Sequence, residues 1–147
     1  MSKVIIFGNK DTAELAHYYL QKDSEHEVVA FSLNEKYIEK TTFNGLPVLP
    51  FEDIEKNLSP SDFKFFAPMT GKNMNKDREK IYNECKEKGY DLISYVSSKA
   101  TVLDNFIGEN CFILENQTIQ KEVTFEDNVV LWSSNHIGHG TKIGQST

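Results

Sequence analysis

Cationic residues are in short supply: 16 Lys and Arg face 22 Asp and Glu in 147 residues, for a formal net charge of −6. That balance excludes the basic footprint with which nucleic-acid binders neutralise phosphates. Long apolar runs are also missing. None approaches the roughly 18 residues that cross a bilayer, so no membrane span is expected. The opening MSKVIIFG has a single Lys and a short apolar run, too little for a secretory leader. Only two cysteines occur, Cys85 and Cys111, with neither a disulfide framework nor metal-ligand spacing. They read as reduced, buried thiols of a cytoplasmic protein. A chain that is 39% apolar still has enough to bury a core.

Two patterns divide the chain. Up to about Val96 it alternates strand and helix. Val4–Phe7 and Val28–Phe31 are continuous apolar runs, as in parallel strands covered on both faces. Pro47–Leu49 and Phe63–Ala67 are two further strands, and Leu92–Val96 closes the series. Asp11 and Glu14 have capping-box spacing ahead of a helix carrying Ala13, Leu15, Ala16, Tyr19 and Leu20. A second helix runs from Arg78 to Lys88, with Ile81, Tyr82 and Cys85 on one face and Gly89 beyond its end. Alternation of this kind predicts a small doubly wound parallel sheet with right-handed crossovers.

From Ile107 a strict period of six takes over: IGENCF, ILENQT, IQKEVT, FEDNVV, LWSSNH, IGHGTK, IGQST. The first position is always large and apolar: Ile107, Ile113, Ile119, Phe125, Leu131, Ile137 and Ile143. The fifth is mostly small or β-branched, as in Cys111, Val123, Val129 and Thr141. Gly follows the large residue at 108, 138 and 144. Neither helix nor ordinary strand explains six; a solenoid of short strands and corners does, with the large residue filling the interior.

Ile-Gly hexads behind a nucleotide-binding-like α/β domain resemble the hexapeptide acyltransferases that modify nucleotide-linked sugars. The resemblance is strongest to the sialic-acid O-acetyltransferase and bacillosamine N-acetyltransferase group. It covers nearly the whole chain and rests on IGENCFILENQTI and NHIGHGTKIG. It implies a Rossmann-like nucleotide-sugar-binding domain over 1–98 and a left-handed parallel β-helix over 99–147. It also implies a homotrimer, acetyl-CoA as acyl donor, and transfer to an amino or hydroxyl group of the sugar. At three hexads per turn, 107–124 and 125–142 are two coils and 143–147 begins a third. The chain is therefore expected to be a truncated member. The alternative function is a catalytically inactive relative that only binds the sugar nucleotide.

Acyl transfer needs a base for the nucleophile's proton, and histidine suits that task near neutral pH. The resemblance assigns this role to His139, just ahead of Gly140-Thr141-Lys142-Ile143-Gly144, with His136 the second choice. Glu115 and Asn116, one coil earlier, are the candidates to orient the imidazole. Ser134, Asn135 and Gly138 are candidates for the acyl-donor and oxyanion contacts. Trp132 either stacks on a ligand or packs at a subunit boundary. His-x-x-His offers two ligands where zinc takes three or four, so no metal is expected. His17 and His26 read as surface residues.

The first βα turn keeps Gly8, followed by Asn9 and Lys10, where the resemblance places the substrate's phosphates. A full dinucleotide fingerprint is missing, which excludes a dehydrogenase. Asn34 and Glu35, at the end of the second strand, are candidates to contact base or ribose. Gly71 and Lys72, after the fourth strand, are candidates on a loop that closes over the nucleotide, and Asn75 is placed to cap the next helix.

Overall fold

Along the first strand, burial alternates between two apolar clusters, and this decides the architecture. The computed structural model describes residues 1–70 and 72–147. Strand β1 (Lys3–Phe7) sends Val4 and Ile6 to one cluster and Ile5 and Phe7 to the other. A strand buried on both sides must be covered on both sides. Helix α1 (Asp11–Lys22) covers the first face through Ala13, Ala16 and Leu20. The second face is covered by α2 (Ile54–Asn57) through Ile54 and by α3 (Lys76–Glu87) through Ile81 and Cys85. The remaining strands are β2 (Glu27–Leu33), β3 (Thr42–Phe43), β4 (Leu46–Pro50) and β5 (Phe63–Phe66), in sheet order β3-β4-β2-β1-β5. All neighbours are parallel except β3 and β4.

Several expectations are corrected here. Asp11 does not cap α1: Lys10 holds the cap position, without a side-chain cap bond, and Asp11 is the first helical residue. Asn75 does not cap α3 through its side chain either; it stands in the left-handed region and its Nδ2 donates to the Ser146 carbonyl. The expected strand at 92–96 is split. Leu92 bridges Phe65 at the sheet edge, whereas β6 (Tyr95–Val96) leaves the sheet and pairs with the repeats. The added hairpin strand β3 reaches β4 through Asn44 and Gly45, both at positive φ, as an Asn-Gly turn requires. His17 and His26 are partly buried: His17 sits edge-on to Phe31 at 5.5 Å, and His26 Nδ1 is buried without a partner.

The hexads fold as seven two-residue strands. They are β7 (Phe106–Ile107), β8 (Phe112–Ile113), β9 (Thr118–Ile119), β10 (Thr124–Phe125), β11 (Val130–Leu131), β12 (His136–Ile137) and β13 (Lys142–Ile143). Each pairs in parallel with the strand three hexads on, giving the columns β7-β10-β13, β6-β8-β11 and β9-β12. All seven first-position residues join one apolar cluster, with Ile113 and Phe125 fully buried.

Corners between columns fall on the fourth hexad position. Asn110, Asn116, Glu122, Asn128, Ser134, Gly140 and Ser146 all have φ between +54° and +76°. Asn and Gly are the residues that take this conformation at least cost. Gly108 answers a different need: it is not in the left-handed region, but a Cβ there would lie 2.4 Å from Asp127 Oδ1. The asparagines at the first corner stack. Asn110 Nδ2 donates to Asn128 Oδ1 (2.8 Å), and Asn128 Nδ2 to Ser146 Oγ (3.0 Å). Asn110 also exchanges two bonds with the Ala67 backbone, which ties this corner to the end of β5.

Candidate active site

His139 sits at the corner between columns β9-β12 and β10-β13. Its imidazole Nε2 lies 3.1 Å from Glu122 Oε2, and its backbone N–H donates to Gln120 Oε1 at 2.9 Å. In a neutral imidazole, a carboxylate partner on this side places the ring hydrogen on Nε2 and leaves Nδ1 as the acceptor. The His139 side chain is 61% exposed, which leaves that lone pair open to a substrate. A histidine paired with a carboxylate in this way is an arrangement that can accept a proton.

Glu122 was not among the expected partners. Glu115 and Asn116 were, but Glu115 is held elsewhere. It accepts from the Tyr19 hydroxyl (2.8 Å) and from Ser133 Oγ (3.0 Å), and these bonds keep its carboxyl below the usual range. Asn116, exposed, stands at the preceding corner with Glu115. One signal in the sequence points to Glu122. The return after three hexads sets residue 122 beside residue 140, next to His139. Glu122 also occupies a left-handed corner, where a glutamate is uncommon.

The other coil candidates extend along the same side. His136 is exposed on β12, opposite Thr118, in the hexad that leads into His139. Ser134 lies at the preceding corner in the left-handed region. Asn135 donates its side-chain amide to the Trp132 carbonyl and its backbone N–H to Gln117 Oε1 (3.0 Å). The Gly138 carbonyl accepts from Thr141 Oγ1 (2.7 Å). Trp132 is 48% exposed.

A separate cavity of about 710 Å³ opens at the ends of β1 and β2. Gly8, Asn9, Lys10 and Asn34 line it; Glu35 is not among the lining residues. Glu35 opens the three-residue helical turn that follows Asn34, and its backbone N–H donates to Glu52 Oε1 (3.0 Å). Gly8 has φ +114°, a conformation open to glycine, and donates its N–H to the Ser32 carbonyl (2.8 Å). Gly71 lies outside the described residues. Lys72 opens the turn Lys72–Asn75, and its side chain also lies outside them. Among the described residues, the cavity and the His139 corner share none.

Arg78 is the second residue that the sequence reading missed. It lines the cavity yet is 1% exposed, and it donates to Asn128 Oδ1 (2.6 Å), to the Met69 carbonyl (3.0 Å) and to the Asn110 carbonyl. Its spacing ahead of Ile81 and Cys85 on the buried stripe of α3 was the available signal.

Among the described residues, no group of three His, Cys, Asp or Glu side chains is placed to hold a metal ion. No helix among them is long and apolar enough to cross a membrane. Cys85 and Cys111 are free and buried, and burial raises both thiol pKa values.

No protein-family model matches this chain, and no curated protein matches it. Solved structures do. PerB from Caulobacter crescentus, in complex with CoA and GDP-perosamine, matches with a TM-score of 0.80 at 16% identity, over 100% of this chain and 68% of that one. The acetyltransferase domain of PglB from Neisseria gonorrhoeae matches with a TM-score of 0.75 at 17% identity, over 97% and 67%. WeeI from Acinetobacter baumannii matches with a TM-score of 0.61 at 18% identity, over 99% and 68%. The likeness is one of fold. This chain spans about two thirds of the length of the structures that it matches.

Proposed function

We propose that the chain transfers an acetyl group from acetyl-CoA to an amino or hydroxyl group of a nucleotide-linked sugar. The observation that carries this reading is the His139–Glu122 dyad, set at an exposed corner of a repeat whose fold likeness is to sugar acetyltransferases. Glu122 holds the imidazole, and Nδ1 takes the proton from the sugar's amine or hydroxyl as that group attacks the thioester carbonyl. The same nitrogen returns the proton to the departing thiolate, so the dyad ends as it began. His136 is the second candidate base. Ser134, Asn135 and Gly138 flank the dyad along the coil and are assigned to the donor and the developing oxyanion.

In this reading residues 1–98 form the Rossmann-like nucleotide-sugar-binding domain and 99–147 the left-handed β-helix. The cavity takes the nucleotide through Gly8, Asn9, Lys10 and Asn34, and Glu35, Gly71 and Lys72 remain assigned to the substrate by the resemblance alone. The homotrimer is part of this reading, and the use of the corners supports a neighbouring copy. The Asn110 corner is tied to β5 and α3, and the Glu115 side is tied to α1, while the hydrogen bonds of the His139 corner stay within the coil. A neighbouring copy is then what brings a cavity to a histidine. A second reading, nucleotide-sugar binding without transfer, is favoured by the separation of cavity and dyad within one chain.

The test is acetyl-CoA consumption, followed by thiol release, against a panel of nucleotide-linked amino and hydroxy sugars. Transfer is expected to fall about 10²–10⁴-fold in His139→Ala. Turnover unchanged in that variant would sink the assignment, and sugar-nucleotide binding with no turnover by the unaltered chain would leave the second reading.

A further inference from the structure

The guanidinium of Arg78 is a buried cation without a buried anion. Its three hydrogen bonds go to neutral acceptors, two carbonyls and the Asn128 amide oxygen. Among the described residues no carboxylate forms an ion pair with it. A guanidinium carries five N–H donors, so these bonds leave donors over. An uncompensated buried charge is strongly destabilising, and such charges are normally paired. Burial draws the Arg78 pKa down to about 10, against a smaller opposing effect of Cys111.

The surroundings point the same way. Lys10, Lys36, Arg78 and Lys80 line the cavity against two carboxylates, Glu39 and Asp77, on a chain that is acidic overall. We propose that Arg78 is the countercharge for the ligand's diphosphate, completing a charge pair that the described residues do not supply. This rests on the nucleotide-sugar reading above and names the residue that meets the phosphates. A planar fork suits the task better than an ammonium: one edge stays on Asn110 and Asn128 while the remaining donors face the anion.

Asn128→Asp tests it by giving Arg78 an internal anion. Asp keeps the acceptor oxygen and tolerates the left-handed corner at position 128. Binding is measured calorimetrically with inorganic pyrophosphate, with a panel of nucleoside diphosphates and with the parent nucleosides. Asn128→Asp is expected to weaken pyrophosphate binding about tenfold or more and to raise the melting temperature. Asn57→Asp, which adds the same charge at the exposed end of α2, is expected to leave affinity unchanged. Pyrophosphate binding unaltered by Asn128→Asp overturns the proposal while the nucleotide reading stands. If the unaltered chain binds neither pyrophosphate nor any nucleoside diphosphate, the nucleotide reading itself falls. Arg78→Lys keeps the charge and loses the fork. It is expected to weaken pyrophosphate several-fold and leave nucleoside binding unchanged, and an equal loss for both would make Arg78 a scaffold residue and overturn the assignment.

Discussion

Gly108→Ala and Gly144→Ala change the same hexad position and are expected to behave in opposite ways. At Gly108 an added Cβ would meet Asp127 Oδ1 at 2.4 Å, and both Asp127 N and Glu126 C at 2.8 Å. Two of those three atoms are backbone and cannot swing aside. Asp127 is itself fixed, because its Oδ1 accepts from the Glu109 N–H at 2.7 Å. At Gly144 the nearest atom to a new Cβ is Glu126 Oε2 at 4.0 Å, an ordinary contact. Neither glycine is in the left-handed region, so conformational freedom does not separate them. Overpacking of this kind costs about 1–3 kcal/mol, and the backbone clash places Gly108→Ala at the upper end. At about 2–4 °C per kcal/mol for a chain of this size, its melting temperature falls by roughly 6–12 °C. Gly144→Ala stays within about 0.5 kcal/mol of the unaltered protein. Thermal denaturation followed by circular dichroism makes the comparison directly. Adding Asp127→Ala to Gly108→Ala removes the side-chain clash but not the two backbone ones, so it rescues only in part. Equal losses at both glycines would refute the steric argument and make the Ile-Gly motif a requirement of turn geometry.

Glu122→Gln keeps a hydrogen bond to His139 but no longer fixes the tautomer, and is expected to lower kcat about tenfold or more with little change in KM; a change confined to KM would remove the orienting role. Phe125→Ala, in the fully buried centre of the coil, should cost about 3–5 kcal/mol, read as a lower denaturation midpoint at unchanged slope. Asp23 accepts hydrogen bonds from Ser98 and from the Tyr95 hydroxyl (2.7 Å), which hold its carboxyl below the ordinary value of 3.8. Its contribution is therefore full above that value and is lost as pH falls through the depressed one. Melting curves of the unaltered chain and Tyr95→Phe should converge on acidification, and a constant gap would place the effect of Tyr95 in packing alone.

The period of six was legible because a large inward residue cannot be moved without exposing it, and all seven such positions share one cluster. The buried strands β1, β2 and β5 were legible for the same reason. The corner conformation was harder to see. Asn110, Asn116 and Asn128 share a position with Glu122, Ser134 and Gly140, and only backbone angles reveal what they have in common. The 92–96 segment misled because its apolar character serves two partners, with Leu92 against β5 and Tyr95 against the repeats. Glu122 and Arg78 escaped because each acts through a residue distant in sequence. A carboxylate on one corner and an arginine on an apolar stripe look ordinary until the return of the coil, or the burial of α3, is counted.

The eighteen-residue return of the columns, as from Thr124 to Lys142, makes the coil a counting device. Loss of a single residue inside a hexad would turn every later inward side chain out of register. Loss of a whole hexad would keep the interior filled but carry each later strand to the next column, so that His139 would face a different neighbour. Gain or loss of three hexads together would preserve both, changing only the height of the stack. Length variation in such a chain is therefore confined to whole turns, or to loops looped out at corners, and the phase of the dyad relative to the cavity is inherited unchanged.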